Sequence, residues 1–166
     1  MAQTALRGNP VTTSGDLPAV GAAAPDFALT GSDLSPVASG DFAGQRVVLN
    51  IFPSVDTPTC ATSVRTFNER AAGLDNTTVL CVSADLPFAQ GRFCGAEGIE
   101  NVKTASTFRS PEFMSNFGVG MVDGPLAGLC ARAVVVVNES GEVVHSQLVG
   151  EIADEPDYDA AITALG

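Results

Sequence analysis

The apolar residues of this chain fall into short blocks separated by turn residues, and the period within the blocks changes along the sequence. Val47-Val48-Leu49-Asn50-Ile51-Phe52, Thr77–Ser83 and Ala131–Val137 are nearly continuous apolar runs, rich in β-branched side chains. Runs of that length and composition predict strands covered on both faces. From Pro58 to about Gly73 the spacing changes: Val64, Phe67 and Ala71 recur at three and four residues, which predicts a helix with one apolar stripe. Helices are also expected over Pro87–Glu97, Pro111–Phe117 and Asp157–Leu165. Thr4–Gly8 and Val11–Ser14, joined across Asn9-Pro10, predict an N-terminal β-hairpin, and Phe27–Thr30 a short strand. Glu142–Val149 pairs back on Ala131–Val137 across Asn138-Glu139-Ser140-Gly141. The order β-α-β-α followed by β-β-α implies an α/β fold, a mixed central sheet flanked by helices on both faces. No repeat, linker or low-complexity segment interrupts it, so residues 1–166 are expected to form a single domain.

Charge and cysteine content narrow the chemistry. A formal charge of −11 argues against nucleic-acid and anionic-membrane partners, both of which repel such a surface. Met1–Pro10 has no apolar signal core, and the apolar runs are too short to span a bilayer, so a soluble, cytoplasmic protein is expected. The four cysteines, 60, 81, 94 and 130, contain no C-x₂₋₄-C pair and no C-x-x-C, and the only histidine is His145. That pattern fits neither a zinc knuckle nor a redox C-x-x-C, and a domain of this size needs no disulfide staples. One activated thiol, one partner thiol and two packing residues remain.

Cys60 has the surroundings of an activated thiol. The apolar run stops at Pro53, polar turn residues follow, and Pro58 supplies the φ of a first helical turn. Thr57 stands where a hydroxyl can cap the free N–H groups, or bond a substrate oxygen and the sulfur. Cys60 thus falls at the positive end of a helix dipole. A free thiol with pKa ~8.5 is only about 3% ionised at pH 7, and bringing it to about 6 takes roughly 3.4 kcal/mol. A helix N-terminus supplies ~0.3–1 kcal/mol, and ~2 at best, so a cation must sit beside the sulfur. Nucleophilicity falls with pKa at a slope of ~0.4–0.5, so added thiolate alone gains little rate. Donors that hold the substrate must do most of the catalysis. Seven of the eight basic residues are Arg. Arg132, opening the strand Ala133–Val137, is one candidate, although a charge there is also consistent with a solvated strand end. Arg65, five residues after Cys60, is the other. His145 alternates with apolar neighbours as a packed strand residue would, while leaving a Cys–His hydrolase open in principle.

Pro53-Ser54-Val55-Asp56-Thr57-Pro58-Thr59-Cys60 resembles the peroxidatic-cysteine motif of peroxiredoxins. The flanking Asn50-Ile51-Phe52 and the segment Asp85-Leu86-Pro87-Phe88-Ala89-Gln90-Gly91-Arg92-Phe93-Cys94 narrow the likeness to the bacterial thiol peroxidase subfamily, the atypical two-cysteine peroxiredoxins. It extends from Leu6-Arg7-Gly8-Asn9 to Glu151-Ile152-Ala153-Asp154-Glu155-Pro156. The resemblance implies a thioredoxin-like fold and reduction of hydroperoxides without metal or organic cofactor. By the same resemblance Cys60 is the nucleophile, Thr57 and Arg132 position the peroxide, Pro53 shapes and shields the site, and Cys94 is the resolving thiol. It also implies thioredoxin or a similar dithiol as reductant, and a homodimer. Phe52, Phe93 and Met121 are apolar neighbours suited to alkyl and lipid hydroperoxides. Because Cys60 and Cys94 lie on separate helices, helix ends are expected to unwind before a disulfide closes. Cys81 reads as inert core. Cys130 departs from the apolar residue usual in the subfamily, and reads as filler or as a secondary oxidation target. A redox sensor that passes oxidation to a partner is the remaining alternative.

Overall fold

A computed structural model describes residues 1–166. Its chain order is β1 (Gln3–Leu6), β2 (Asn9–Thr12), β3 (Ala28–Gly31), β4 (Pro36–Ala38), a 3₁₀ turn (Ser39–Phe42), β5 (Arg46–Ile51), α1 (Pro58–Ala71), β6 (Thr77–Ser83), α2 (Pro87–Glu97), β7 (Lys103–Ser106), α3 (Glu112–Phe117), β8 (Ala133–Val137), β9 (Val143–Leu148) and α4 (Tyr158–Thr163). Seven strands form one sheet in the order β4-β3-β7-β6-β5-β8-β9, and β1-β2 stand apart as a hairpin. β5, β6 and β7 run parallel, and the remaining pairs are antiparallel. This is the mixed sheet that the apolar runs predict.

Alternation along the strands divides the core in two. Val48, Val79, Cys81, Val134 and Val136 face the side covered by α1, α2 and α4, where they meet Cys60, Val64, Phe67, Phe93 and Ala161. Leu49, Ile51, Leu80, Val82, Ala133 and Val135 face α3, packing with Phe113 and Phe117. Those two rings stack at 4.5 Å, and Phe27 meets Phe113 edge-on at 6.2 Å. Phe67 anchors α1, buried and touched edge-on by Tyr158 of α4 at 5.1 Å.

The N-terminal hairpin turns earlier than the Asn9-Pro10 dipeptide suggests. Arg7 and Gly8 occupy the turn with φ of 52° and 80°, the pair of positive values a tight two-residue hairpin requires. Pro10 lies within β2, opposite Ala5, in an isolated ribbon where a missing N–H is tolerated. Two strands and the 3₁₀ turn escape the sequence pattern. β7 reads Lys-Thr-Ala-Ser, yet Thr104 and Ser106 are buried, and Ser106 Oγ donates to the Asp85 carbonyl at 2.5 Å. A buried strand hydroxyl that finds a carbonyl, as Ser106 does, has no need of an apolar alternation. The hairpin packs onto the open ends of β8 and β9: Thr4 Oγ1 donates to the Val149 carbonyl (2.7 Å) and Ile152 N to the Ala5 carbonyl (2.8 Å). It thereby becomes one wall of the site.

Candidate active site

Parallel β5 delivers the chain to the end of the sheet, where residues 53–57 turn it into α1 with Pro58 at the first helical position. Cys60 is the third residue of that helix and is fully buried. Thr57 is the N-cap residue by backbone (φ −106°, ψ 145°), but its hydroxyl does not cap. It donates instead to the Ser54 carbonyl at 2.9 Å, because the loop folds back and offers an acceptor closer than the helix donors. The capping expectation for Thr57 therefore fails, and the first turn keeps N–H groups without a side-chain cap. Behind the sulfur, Ser63 Oγ donates to the Cys60 carbonyl at 2.8 Å, and Asn50 Nδ2 to Ser63 Oγ at 3.3 Å. The signal for Asn50 was present in the sequence as one polar residue inside an apolar strand.

Arg132 reaches the same point from the residue before β8. It is 1% exposed. Its Nε donates to the Ile152 carbonyl at 2.8 Å and its Nη2 to Cys60 Sγ at 3.2 Å, while Nη1 is buried with no partner in the chain. The five ion pairs of the molecule leave Arg132 out. Burying a guanidinium costs several kcal/mol unless an opposite charge sits beside it, on the order of the effective penalty per buried ion. The one side chain within hydrogen-bond distance of the guanidinium is Cys60, through its sulfur. Ile152, whose carbonyl sets the guanidinium's orientation, was not singled out from the sequence, since main-chain acceptors leave no side-chain signature.

A groove of about 590 Å³ has Arg132 in its lining, with Cys60 buried behind that surface. Pro53, Thr57, Pro58 and Arg132 form its floor, and Leu6, Val11, Leu126 and Ile152 line its walls. Pro53 is buried. Phe52, Phe93 and Met121 are buried and absent from the lining, so the apolar surface beside the site belongs to the hairpin and the segment 124–126 instead. Met121 packs inward with Val11, Ala131 and Ile152, supporting the wall from behind.

The other sequence candidates separate cleanly. Arg65 forms a forked pair with Glu97, Nε to Oε2 at 3.1 Å and Nη2 to Oε1 at 3.2 Å, joining α1 to α2 at the surface. Cys94, on α2, is half-buried and packs against the cluster that holds Cys60. All four thiols are unpaired. Burial pushes the Cys81 and Cys130 thiols up to about 12 each, the behaviour of packing residues. His145 lies on β9 opposite Val136, where the charge of Asp157 acts on it; it does not line the groove.

The model of the Redoxin family matches residues 19–162. The thiol peroxidases of Mycobacterium tuberculosis (strain H37Rv) and Mycobacterium bovis are 62% identical over 166 residues, covering 100% of this chain and 99% of each relative. The crystal structure of a peroxiredoxin-like protein from Aquifex aeolicus superposes with a TM-score of 0.93 at 41% identity, over 98% of this chain and 95% of that one. A thiol peroxidase from Chromobacterium violaceum shares the fold at TM-score 0.90 and 21% identity, over 97% and 93% of the two chains. No helix is long and apolar enough to cross a membrane. With its thioredoxin-like sheet and a thiol held against a buried guanidinium, the chain belongs to the Redoxin family and, within it, to the thiol peroxidases.

Proposed function

We propose that the protein reduces hydroperoxides at Cys60 and is returned to its dithiol state through Cys94. The observation that carries this reading is the 3.2 Å contact between Arg132 Nη2 and Cys60 Sγ, made by a buried cation with no carboxylate partner. The thiolate attacks the terminal oxygen of the hydroperoxide, forming an S–O bond as the O–O bond breaks. The departing alkoxide takes a proton and leaves as alcohol, or as water when the substrate is hydrogen peroxide. Cys60 becomes a sulfenic acid. The unpartnered Nη1 of Arg132 is the free donor that stabilises the oxygen gaining charge, and Thr57 Oγ1, whose proton is held by the Ser54 carbonyl, accepts from the hydroperoxide O–H. Pro53 closes the floor and keeps water from the sulfur.

The Cys94 thiol then attacks the Cys60 sulfur; a disulfide forms and water leaves. Cys60 is buried in the cluster that Cys94 packs against, and the two thiols sit on different helices, so in this reading the start of α1 and part of α2 leave that packing before the bond closes. An external dithiol of the thioredoxin type reduces the disulfide. The apolar groove walls favour alkyl and lipid hydroperoxides over hydrogen peroxide. The reading also includes a cytoplasmic setting and a homodimer; Leu86 and Phe88, exposed at the start of α2, are apolar surface that a second copy would cover. The test is a coupled assay with thioredoxin, thioredoxin reductase and NADPH. Cumene hydroperoxide should drive steady NADPH oxidation, and its absence in the presence of active reductase would reject the peroxidase assignment.

A further inference from the structure

The segment Asp85–Cys94 carries the resolving thiol at its end, but its first residue is placed elsewhere. The Asp85 carboxylate is spread over two separate pieces of chain. Oδ1 accepts from Ser54 Oγ at 2.6 Å, and Oδ2 accepts from Val55 N at 2.9 Å and from Ser83 Oγ at 2.6 Å. Ser54 and Val55 belong to the loop that enters α1; Ser83 ends β6. Ser54 is the node of that loop. Its hydroxyl also accepts from Asp56 N at 3.1 Å, and its carbonyl accepts both Thr57 N (3.2 Å) and Thr57 Oγ1 (2.9 Å). A chain of contacts therefore runs from Asp85 through Ser54 to the Thr57 hydroxyl at the groove floor. Asp85 itself is fixed by rigid parts: Ser106 Oγ donates to its carbonyl at 2.5 Å, and buried Gln90 donates to Ser83 Oγ at 3.0 Å and to the Ala105 carbonyl at 2.9 Å.

We propose that Asp85 is a positioning residue for peroxide attack, holding the 53–57 loop and the Thr57 hydroxyl in the reactive arrangement by clasping Ser54 and Val55 to the end of β6. The proposal rests on the peroxidase reading. Hydrogen bonds to a charged acceptor are the strong ones, and three of them converge on a carboxylate that touches no reacting atom. Their direction decides the chemistry. Asn at this position keeps the shape but replaces one acceptor oxygen with a donor, which would face the Ser54 hydroxyl or the Val55 N–H. Asp85 also stands two residues before α2, so the same clasp ties the Cys60 loop to the start of the helix bearing Cys94. The clasp supports the first step and restrains the rearrangement that the second step needs.

The experiment separates the two steps. Reduced protein is mixed with cumene hydroperoxide in a stopped-flow instrument, following sulfenic-acid formation at Cys60 and then disulfide closure, for the native chain, Asp85→Asn and Ser54→Ala. For Asp85→Asn the first rate constant should fall by about 10- to 100-fold, the range for a displaced catalytic hydroxyl, with the second unchanged or faster. Ser54→Ala, which keeps the Val55 contact, should show the same split at smaller size. Equal slowing of both steps would mean general structural damage, and a first step within about twofold of native would mean that the clasp positions nothing that matters; either overturns the proposal. A native chain whose Cys60 does not react with peroxide would reject the peroxidase reading itself, a different result from any of these.

Discussion

Cys60 and Cys81 are both fully buried and belong to the same packed cluster, yet their surroundings differ. Cys81 sits mid-strand on β6 with the Asn50 amide 3.6 Å away, and desolvation pushes its thiol up to about 12. Cys60 sits where a strand gives way to a helix, with a guanidinium nitrogen 3.2 Å from its sulfur, and that arginine lines a groove. Burial alone makes a cysteine inert. A buried cation beside the sulfur is the setting that the proposed role of Cys60 calls for, because in a low dielectric the cation's charge is worth more than it would be in water. Cys130 repeats the lesson: two residues from Arg132 in sequence, it points into the opposite half of the core and behaves as Cys81 does.

The contrast is broken most severely by exchanging the sulfurs. Cys60→Ser should reduce peroxide consumption by about 10³-fold or more, whereas Cys81→Ala should leave it within about twofold and show its effect only as lost stability. Steady-state peroxidase assays beside urea unfolding would distinguish them. Cys94→Ser should abolish turnover with thioredoxin while the first reaction with peroxide stays within about threefold of native, leaving a Cys60 sulfenic acid that dimedone traps in intact-mass spectra. Removing the cation, by Arg132→Met, should slow sulfenic-acid formation about 10²- to 10³-fold; Arg132→Lys should recover part of this, since one ammonium cannot serve the Ile152 carbonyl, the sulfur and a substrate oxygen together. Thr57→Val keeps the shape and loses the hydroxyl, and should slow the same step by about 10- to 100-fold in stopped-flow traces.

The smallest effect concerns His145, which lies outside the site. Burial lowers its imidazole from the ordinary 6.5, with Asp157 pulling weakly the other way. The unfolded chain then binds a proton more readily than the folded one as pH drops below that value. The stability tied to His145 is therefore complete above pH 6.5 and is lost as pH falls through its lower folded value. Thermal unfolding between pH 7 and pH 5 should show a shallow decline that His145→Gln flattens, with catalysis unaffected.

What could be read from the sequence was what is local. Thr57-Pro58 places Cys60 in a first helical turn wherever those residues occur, and the spacing of Val64 and Phe67 shows which face of α1 goes inward. The apolar runs of β5, β6 and β8 outlined the centre of the sheet. Arg132 was different, because a charge before an apolar strand has the same appearance whether it meets solvent or a sulfur. Family likeness selected it, and the contact at 3.2 Å gives the physical reason. β7 stayed hidden because it buries polar residues, with the Ser106 hydroxyl satisfied by the distant Asp85 carbonyl, and the hairpin turn was misplaced because Arg7 adopts a φ more usual for Gly or Asn. The Asp85 clasp and the Ile152 carbonyl depend on the folded arrangement, in which residues 31 and 20 positions from their partners come together.

One measurement tests the division of labour among the four thiols directly. The fully reduced protein is treated with one equivalent of cumene hydroperoxide, free thiols are blocked, and the peptides are mapped by mass spectrometry without reduction. The account predicts a Cys60–Cys94 link within one chain, with Cys81 and Cys130 recovered as blocked thiols after unfolding. A link through Cys81 or Cys130, or a Cys60 left unoxidised, would contradict it.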